Sequence, residues 1–270
     1  MHNSVANEQY STKIDRGSFK KYLSSWTSEL GIRVESDKFD LLLDDLLLVL
    51  EKNIVVNLTS IRDPYDALIL HTLDSLAFLR PLDTHLSRFV KSIRLLDMGS
   101  GGGFPGIPLA CSRDYEIVLL DSVGKKAAAC DEFVHELGIE KRVTAVHSRL
   151  EDYARTSFGS FDCVVARALS SLDVLLEYAS PFLKMGGYLI CGKGKPDDNE
   201  IAKSELVEGL CGFSRVSRET FELPDEYGHR EFFVYKKTWN PQIKLPRKNG
   251  EAKNNPLADS KRVSRETSKW

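Results

Sequence analysis

Residues 95–112, LLDMGSGGGFPGIPLACS, place five glycines and two prolines behind a short apolar run. Two glycine motifs overlap in this stretch: GxGxxG at residues 101–106, which is the dinucleotide-binding pattern, and DxGxGxG at residues 97–103. In both interpretations a strand ends in a glycine turn that opens onto a helix N-terminus, where free N–H groups favour an anionic group. The stretch therefore predicts a ligand site in an α/β fold.

The position of the strand favours the second motif. A dinucleotide turn needs its first glycine directly after the strand, and here that glycine is Gly99, which puts Asp97 at the strand's tip. A carboxylate there repels a pyrophosphate but suits a ligand with an ammonium group. S-adenosylmethionine is such a ligand, with a sulfonium, an ammonium, one carboxylate and no phosphate. Phe104 also crowds a loop that a diphosphate would have to approach closely, so the loop favours the methyl donor over a dinucleotide.

The chain around this loop alternates between apolar strands and helices. Alternation of this kind predicts a mostly parallel sheet with helices on both faces, and two β-prone stretches after residue 211 would complete seven strands. Strands are expected at residues 93–98, 115–121, 143–148, 161–168, 186–194, 213–223 and 230–237, with helices over 123–138 and 171–184.

The flanking regions have a different residue pattern from the predicted sheet region. Residues 1–92 show apolar residues at helical spacing and predict a helical cap, whose third helix begins with Asp63 as N-cap and stops at Pro81. We therefore expect a helical cap over 1–92, a ligand-binding domain over 93–240 and a loosely ordered basic tail over 241–270.

Charge is distributed unevenly along a chain whose net charge is only −2. From residue 236 onward there are ten Lys and Arg against three Asp and Glu, so the first 235 residues carry about −9. A basic end on an acidic body indicates a polyanionic partner, although a solvated tail would have the same composition.

Composition also excludes several classes of protein. The five cysteines are widely spaced and odd in number, which argues against a disulfide scaffold and against a zinc site. The first twenty residues lack the apolar segment of a signal peptide, and no apolar run approaches the ~20 residues of a membrane span. We expect a cytoplasmic protein without a metal or a membrane partner.

Two further strand ends are candidate ligand contacts. Asp121 ends the second strand eighteen residues beyond Gly103, where an acid binds ribose hydroxyls, although it also suits a helix N-cap. After the third strand, Leu150 would form an apolar wall for an adenine; a surface acidic loop fits this segment equally well.

The ends of the fourth and fifth strands carry Arg167 and Lys193. In this architecture the fourth strand's end faces the group being transferred. The nearby Cys163 and Cys191 lie inside their strands and read as buried core, so neither is a nucleophile. Two cations form a poor general-base site but a good clamp for a phosphate or for acceptor atoms of a base. The alternative is a pair of solvated strand-end charges.

Several segments together resemble one bacterial family. NLTSIRDPYDALILHTLDSL, LLDMGSGGGFPGIPLA, LLDSVGKKAAACDEF, FDCVVARALSSL, CGKG and HREFFVYKK look like successive motifs of the glucose-inhibited division protein B family, over about residues 38–250. Those proteins are S-adenosylmethionine-dependent 16S rRNA guanine-N7 methyltransferases. The resemblance implies a seven-stranded, mostly parallel, Rossmann-like class I methyltransferase sheet with an N-terminal helical cap.

The resemblance also implies roles for individual residues. Catalytic roles fall to Arg167 and Lys193. Contacts with S-adenosylmethionine fall to Asp97, Gly99, Gly101, Gly103, Phe104, Asp121, Leu150, Glu151 and Arg167. A further family motif corresponds to His71, Asp74 and Ser75, which from the sequence alone would read as a surface ion pair or a cap. RNA contacts are expected at Lys125, Lys126, Arg230, Arg247 and Lys248.

Guanine N7 carries an in-plane lone pair and no proton, so its methylation requires no general base, in agreement with the two cations at the strand ends. We expect a monomer that acts on 16S rRNA or the small ribosomal subunit. Three alternatives stay open: methylation of another RNA or a small molecule by the same fold, a non-catalytic RNA-binding module, and an NAD-dependent dehydrogenase.

Overall fold

The computed structural model describes residues 14–86 and 93–260. The expected domain boundary at residue 92 lies outside these ranges. Within them, no helix is long and apolar enough to cross a membrane. The N-terminal helical region consists of α1 (Arg16–Glu29), α2 (Lys38–Lys52), α3 (Pro64–Ala67), a π-helix (Leu68–Leu73), α4 (Asp74–Leu76) and α5 (Leu79–Leu86).

A seven-stranded sheet follows, with strand order β3-β2-β1-β4-β5-β7-β6. The first five strands are parallel and β7 is antiparallel to both of its neighbours, which confirms the predicted mostly parallel sheet. The strands are β1 (Arg94–Met98), β2 (Glu116–Asp121), β3 (Val143–His147), β4 (Phe161–Arg167), β5 (Leu183–Lys193), β6 (Phe213–Leu223) and β7 (Gly228–Lys237). The intervening helices are α6 (Gly106–Ser112), α7 (Gly124–Glu136), α8 (Leu150–Thr156), α9 (Leu172–Ala179) and α10 (Asp198–Cys211), followed by α11 (Glu251–Asn254) and a 3-10 turn (Leu257–Asp259).

Both faces of the sheet are buried, because successive side chains of a strand point to opposite faces. Leu95 belongs to an apolar cluster that includes Leu46 of the N-terminal helices, whereas Leu96 belongs to a second cluster with Leu176 of α9. Strand order reverses between β1 and β4, and this switch opens a crevice at the carboxyl ends of the strands.

The third N-terminal helical segment differs from its prediction. Its start is confirmed, since Asp63 Oδ1 accepts hydrogen bonds from the N–H groups of Tyr65 (2.8 Å) and Asp66 (3.1 Å). Its expected end at Pro81 is wrong, because Pro81 lies in the first turn of α5, where a missing N–H costs nothing. The π-helix in between was not predicted; such wide turns are frequent at functional sites.

The C-terminal segment also differs from its prediction. Residues 241–260 were expected to be loosely ordered, yet they fold back onto α8 and α9, with Leu245 and Ala252 buried in the second apolar cluster. The part of the predicted tail from residue 261 onward lies outside the described residues.

Candidate active site

Two cavities lie at the carboxyl ends of the parallel strands. The first, of about 440 Å³, is bounded by the glycine loop, the end of β2, residues 148–151 and the C-terminal segment. The second, of about 420 Å³, is bounded by the ends of β4 and β5, the π-helix and β7. His71, Arg167 and Ala168 line both cavities, so the two share a wall.

The glycine loop forms one side of the first cavity. Gly99 and Gly101 adopt φ values of 72° and 59°, which favour glycine, and both line the cavity together with Phe104. A Cβ added at Gly99 would lie 2.6 Å from Leu169 Cδ1, so a side chain there would displace the loop after β4. Gly103 was also expected at the ligand, but it packs against Ile107, and Gly102 lines the cavity instead.

Asp97 lies behind the glycine loop. Its side chain has no exposed surface, its Oδ2 accepts a hydrogen bond from Gly106 N–H at 2.8 Å, and its Oδ1 has no hydrogen-bond partner. Burial raises the pKa of this carboxyl to about 7, although the Gly106 hydrogen bond opposes the shift. The sequence predicts direct contact with the ligand, whereas in the structure Asp97 braces the start of α6 and does not line the first cavity.

The predicted ribose and adenine contacts do line the first cavity. Asp121 accepts hydrogen bonds from Gly101 N–H (2.9 Å) and Val123 N–H (2.8 Å), so it fixes the glycine loop and the start of α7 at once. Each carboxylate oxygen keeps a further lone pair for a ribose hydroxyl. Leu150 and Glu151 line the same cavity at the start of α8.

Asp74 joins two arginines at the wall between the cavities. Its Oδ2 lies 3.0 Å from Arg167 Nη1, and its Oδ1 lies 3.0 Å from Arg230 Nε. Arg167 Nη1 also donates to the carbonyl of Leu70 at 2.9 Å, within the π-helix. The motif is thus neither a surface ion pair nor a cap, because the Asp74 carboxylate is buried and needs counter-charges.

His71 stands beside this cluster as a neutral ring. Its ring stacks on Phe104 with centroids 4.5 Å apart, and its Nε2 lies 2.9 Å from Thr59 Oγ1. Burial, aided by the charge of Arg167, lowers the pKa of His71 to about 3, so the imidazole is uncharged at neutral pH. Ser75, the last member of the predicted motif, is fully buried and donates from Oγ to the His71 carbonyl at 2.5 Å.

Lys193 lines the second cavity only. Its Nζ lies 2.7 Å from Glu200 Oε1 and 3.1 Å from the Ser170 carbonyl, so it is paired and not a solvated strand-end charge.

Ala168, between the two cavities, adopts a φ of 52°, which is uncommon for a residue with a side chain. Such strain is found where structure over-determines the backbone, as at ligand sites. Cys163 and Cys191 are fully buried, as predicted.

The predicted RNA contacts differ in their surroundings. Lys125 and Lys248 are exposed and Lys126 lines the first cavity, whereas Arg230 lines the second, held by Asp74. Arg247 differs most from its prediction, because its guanidinium makes two hydrogen bonds to the buried carboxylate of Glu177. These two hydrogen bonds, of 2.7 and 2.6 Å, pair the Arg247 guanidinium with a carboxylate within the protein.

Several lining residues were not anticipated from the sequence. The first cavity is also bounded by Tyr178 of α9, by Leu169 after β4, and by Gly250 and Lys253 of the C-terminal segment. Gly250 and Lys253 lie in the basic segment KNGEAK, residues 248–253, for which the sequence predicts RNA binding. Among residues 14–86 and 93–260, no cluster of three or more His, Cys, Asp or Glu is suited to hold a metal ion.

The first cavity fits S-adenosylmethionine on three observations. The glycine loop forms a cradle that a Cβ at Gly99 would disturb, Asp121 offers acceptors for ribose hydroxyls, and Leu150 offers an apolar wall for an adenine. Gly99, Gly101 and Phe104 would hold the amino-acid end of this donor.

Comparison with solved structures supports the fold. The O-methyltransferase from Bacillus cereus, in complex with SAH, is 16% identical, with a TM-score of 0.52 over 80% of this chain and 100% of that chain. A crystal structure of a protein from Klebsiella pneumoniae, also 16% identical, gives a TM-score of 0.51 over 72% of this chain and 90% of that chain. These similarities show that the fold is the class I methyltransferase fold.

Comparison with curated sequences shows the family. The family described as "GidB: rRNA small subunit methyltransferase G" matches residues 40–226. Ribosomal RNA small subunit methyltransferase G of Desulfitobacterium hafniense is 38% identical over 234 residues, which cover 84% of this chain and 93% of the relative. Its namesake from Staphylococcus epidermidis strain RP62A is 32% identical over 89% of this chain and 99% of the relative. The resemblance is confirmed: this chain belongs to the rRNA small subunit methyltransferase G family of S-adenosylmethionine-dependent methyltransferases.

Proposed function

We propose that this protein transfers the methyl group of S-adenosylmethionine to N7 of a guanosine in 16S rRNA. The observation that carries the proposal is the wall of His71, Arg167 and Ala168 shared by the two cavities. A base in the second cavity would lie beside a donor in the first, as a direct transfer requires. The names of the relatives, which are small-subunit rRNA methyltransferases, support the RNA substrate.

The donor, when bound, supplies a methyl group made electrophilic by the sulfonium. The chain's own task is then to hold the two reactants in position, which contributes most of the catalysis in such reactions. Arg167 is placed for this task, because Asp74 and the Leu70 carbonyl orient its guanidinium at the shared wall. Its Cζ also lies 5.5 Å from the centroid of the Phe104 ring, at the glycine loop.

The side chains at the shared wall suit a nucleophile that has no proton to lose. His71 is a weak base with a pKa near 3, and Asp74 is occupied by Arg167 and Arg230. N7 attacks through a lone pair and therefore needs neither group as a base. This chemistry distinguishes N7 from an exocyclic amine or a hydroxyl, which must be deprotonated.

The charges of the second cavity suit an RNA nucleotide. Arg167, Arg230 and Lys193 face two carboxylates, Asp74 and Glu200, which leaves an excess of one positive charge. A phosphate or the guanine O6 would accept hydrogen bonds from these cations. The exposed Lys125 and Lys248 would add phosphate contacts that weaken with salt. A loop guanosine is the favoured target, because unstacking a base costs less there than in a duplex.

The substrate in the cell is, in this proposal, the 16S rRNA of the small ribosomal subunit or its assembly intermediate. The protein would act as a monomer in the cytoplasm, where those particles form.

Chemical mapping tests the proposal. Unmodified 16S rRNA and small subunits are incubated with the protein and S-adenosylmethionine, reduced with borohydride and treated with aniline, which cleaves RNA at N7-methylguanosine. We expect cleavage at a discrete guanosine that depends on both protein and donor. Methyl incorporation without aniline cleavage would show that another atom is the acceptor, and no incorporation into either substrate would contradict the proposal.

A further inference from the structure

The C-terminal strap, residues 244–254, contributes Gly250 and Lys253 to the lining of the first cavity. It lies on α8 and α9, where Leu245 and Ala252 are buried among apolar side chains. The strap also makes two hydrogen bonds to α8: Asn249 Nδ2 donates to Asp152 Oδ2 at 2.8 Å, and Gly250 N–H donates to Glu151 Oε1 at 2.7 Å. It is therefore a fixed part of the structure.

Arg247 anchors the strap to α9. Its Nε and Nη2 donate to the two oxygens of Glu177 at 2.7 and 2.6 Å, and the Glu177 side chain is only 4% exposed. Two-pronged pairs of this kind are among the strongest charge-assisted hydrogen bonds in proteins. Loss of Arg247 would leave the buried Glu177 carboxylate without its charge partner, so the attachment of the strap to α9 would be weakened.

The strap brings two residues to the first cavity. Gly250 and Lys253 both line it, and Gly250 lies beside Glu151, at the end proposed for the adenine. Lys253 Nζ lies 3.4 Å from the carbonyl of Leu169, whose side chain is the neighbour that a Cβ at Gly99 would meet. The Lys253 ammonium therefore lies at the loop after β4, whose Leu169 side chain contacts Gly99 of the glycine loop.

The contacts proposed above leave the carboxylate of S-adenosylmethionine without a partner. S-adenosylmethionine carries a carboxylate, which favours a cation. Arg167 is engaged by Asp74 and the Leu70 carbonyl, and Lys126 lies in the first turn of α7, which follows Asp121, the residue proposed to bind the ribose. Arg149 also lines this cavity, but it precedes α8, at the end proposed for the adenine. Lys253 is exposed, its Nζ makes a long contact of 3.4 Å with the Leu169 carbonyl, and it lines the same cavity as the glycine loop.

We propose that the C-terminal strap completes the donor site, with Lys253 binding the carboxylate of the donor's amino-acid part and Arg247 acting as the positioning residue that holds the strap in place. This inference rests on the donor assignment of the proposed function but not on the RNA substrate. It gives the basic C-terminal segment a role in the first cavity in place of the RNA contact that the sequence predicts for Arg247.

Calorimetric titration without RNA tests the proposal with two ligands. S-adenosylhomocysteine contains the amino-acid part, and 5′-methylthioadenosine lacks it. For Lys253→Met we expect the Kd of S-adenosylhomocysteine to rise about 10- to 100-fold, the usual range for a lost charge-assisted hydrogen bond, with the Kd of 5′-methylthioadenosine unchanged. For Arg247→Met we expect both Kd values to rise, because the strap as a whole is released.

Lys244→Met is the matched control, since Lys244 is an exposed lysine of the same strap that does not line the cavity. Its two Kd values should equal those of the wild type. Lys253→Gln repeats the test with a polar side chain, and thermal unfolding confirms that each variant is folded. Wild-type affinity of Lys253→Met for S-adenosylhomocysteine, or an equal loss for both ligands, would overturn the carboxylate assignment. Failure of the wild type to methylate rRNA with these Kd differences intact would contradict the proposed function alone.

Discussion

The two cavities are formed by different kinds of structure, backbone conformation in the first and side-chain ion pairs in the second. The first is shaped mainly by backbone: glycines with positive φ, and Asp121 fixing two N–H groups of adjacent turns. The second is shaped by ion pairs between distant parts of the chain, in which Asp74 holds Arg167 and Arg230. The first is therefore set by local conformation, whereas an anionic ligand of the second competes with Asp74 and Glu200 for the cations. Changes in the two cavities should have separable consequences.

The largest expected effect comes from Arg167→Ala. Arg167 is the charged side chain common to both cavities, and its loss would remove the group that positions the target nucleotide. We expect the single-turnover rate of methyl transfer to fall by about 100-fold or more, since misplaced reactants lose that much. The Kd of S-adenosylhomocysteine should change by less than about threefold. Loss of donor affinity with turnover retained would reverse the roles assigned to the cavities.

A pair of glycine substitutions compares how much stability is lost when a Cβ is added behind the glycine loop and when one is added in the second cavity. A Cβ at Gly106 would lie 2.2 Å from Leu119 Cδ2 and 2.8 Å from Asp97 Oδ2, whereas a Cβ at Gly194, which lines the second cavity, meets nothing within 4 Å. Overpacking of this kind costs about 1–3 kcal/mol, so Gly106→Ala should lower the free energy of unfolding by that amount in urea denaturation. Gly194→Ala should leave it within about 0.5 kcal/mol. Equal effects of the two substitutions would contradict the contrast.

The third expected effect is a pH dependence of stability due to His71. Its pKa is lowered from 6.5 to about 3, so the unfolded chain binds a proton that the folded chain excludes between these values. The His71 contribution is present above pH 6.5 and is lost as pH falls toward 3, by up to about 1.4 kcal/mol per pH unit. Urea denaturation of wild type and His71→Gln between pH 7 and pH 5 should show the steeper loss in the wild type. The raised pKa of Asp97 makes the folded state more stable as pH falls, which is the opposite sign. Both proteins contain Asp97, so its contribution cancels in the difference between wild type and His71→Gln. Parallel pH profiles would show that His71 is not held neutral.

The first cavity was largely predictable from the sequence because its parts are local. β1, its glycine turn and the acid at the end of β2 lie within 28 residues, and Gly99, Gly101 and Asp121 line the first cavity. The position of Asp97 behind the glycine loop has a physical cause: side-chain direction at a strand's tip depends on which N–H groups the next turn presents. Here Gly106 presents one on the sheet side of the loop.

The second cavity and the strap were not predictable in the same way. Asp74 meets Arg167 across 93 residues and Arg230 across 156, and periodicity and turn signals contain no information on such pairings. The strap looked like a solvated tail because its buried contacts are few and depend on Glu177, seventy residues earlier. The sequence revealed Arg167 and Arg230 as cations but not the carboxylate that holds them.

A comparison of Asp121→Asn with Arg230→Met tests the separation of the two cavities most directly, by the donor Kd and by the single-turnover rate of rRNA methylation at saturating donor. In Asp121→Asn the amide cannot accept from both Gly101 and Val123, so we expect the Kd to rise about 10-fold or more with the rate at saturation nearly retained. In Arg230→Met we expect an unchanged Kd and a rate reduced about 10-fold or more, because the cation that shares Asp74 with Arg167 is lost. If both variants lose the same parameter, the two cavities do not divide donor binding from target positioning, and the account is contradicted.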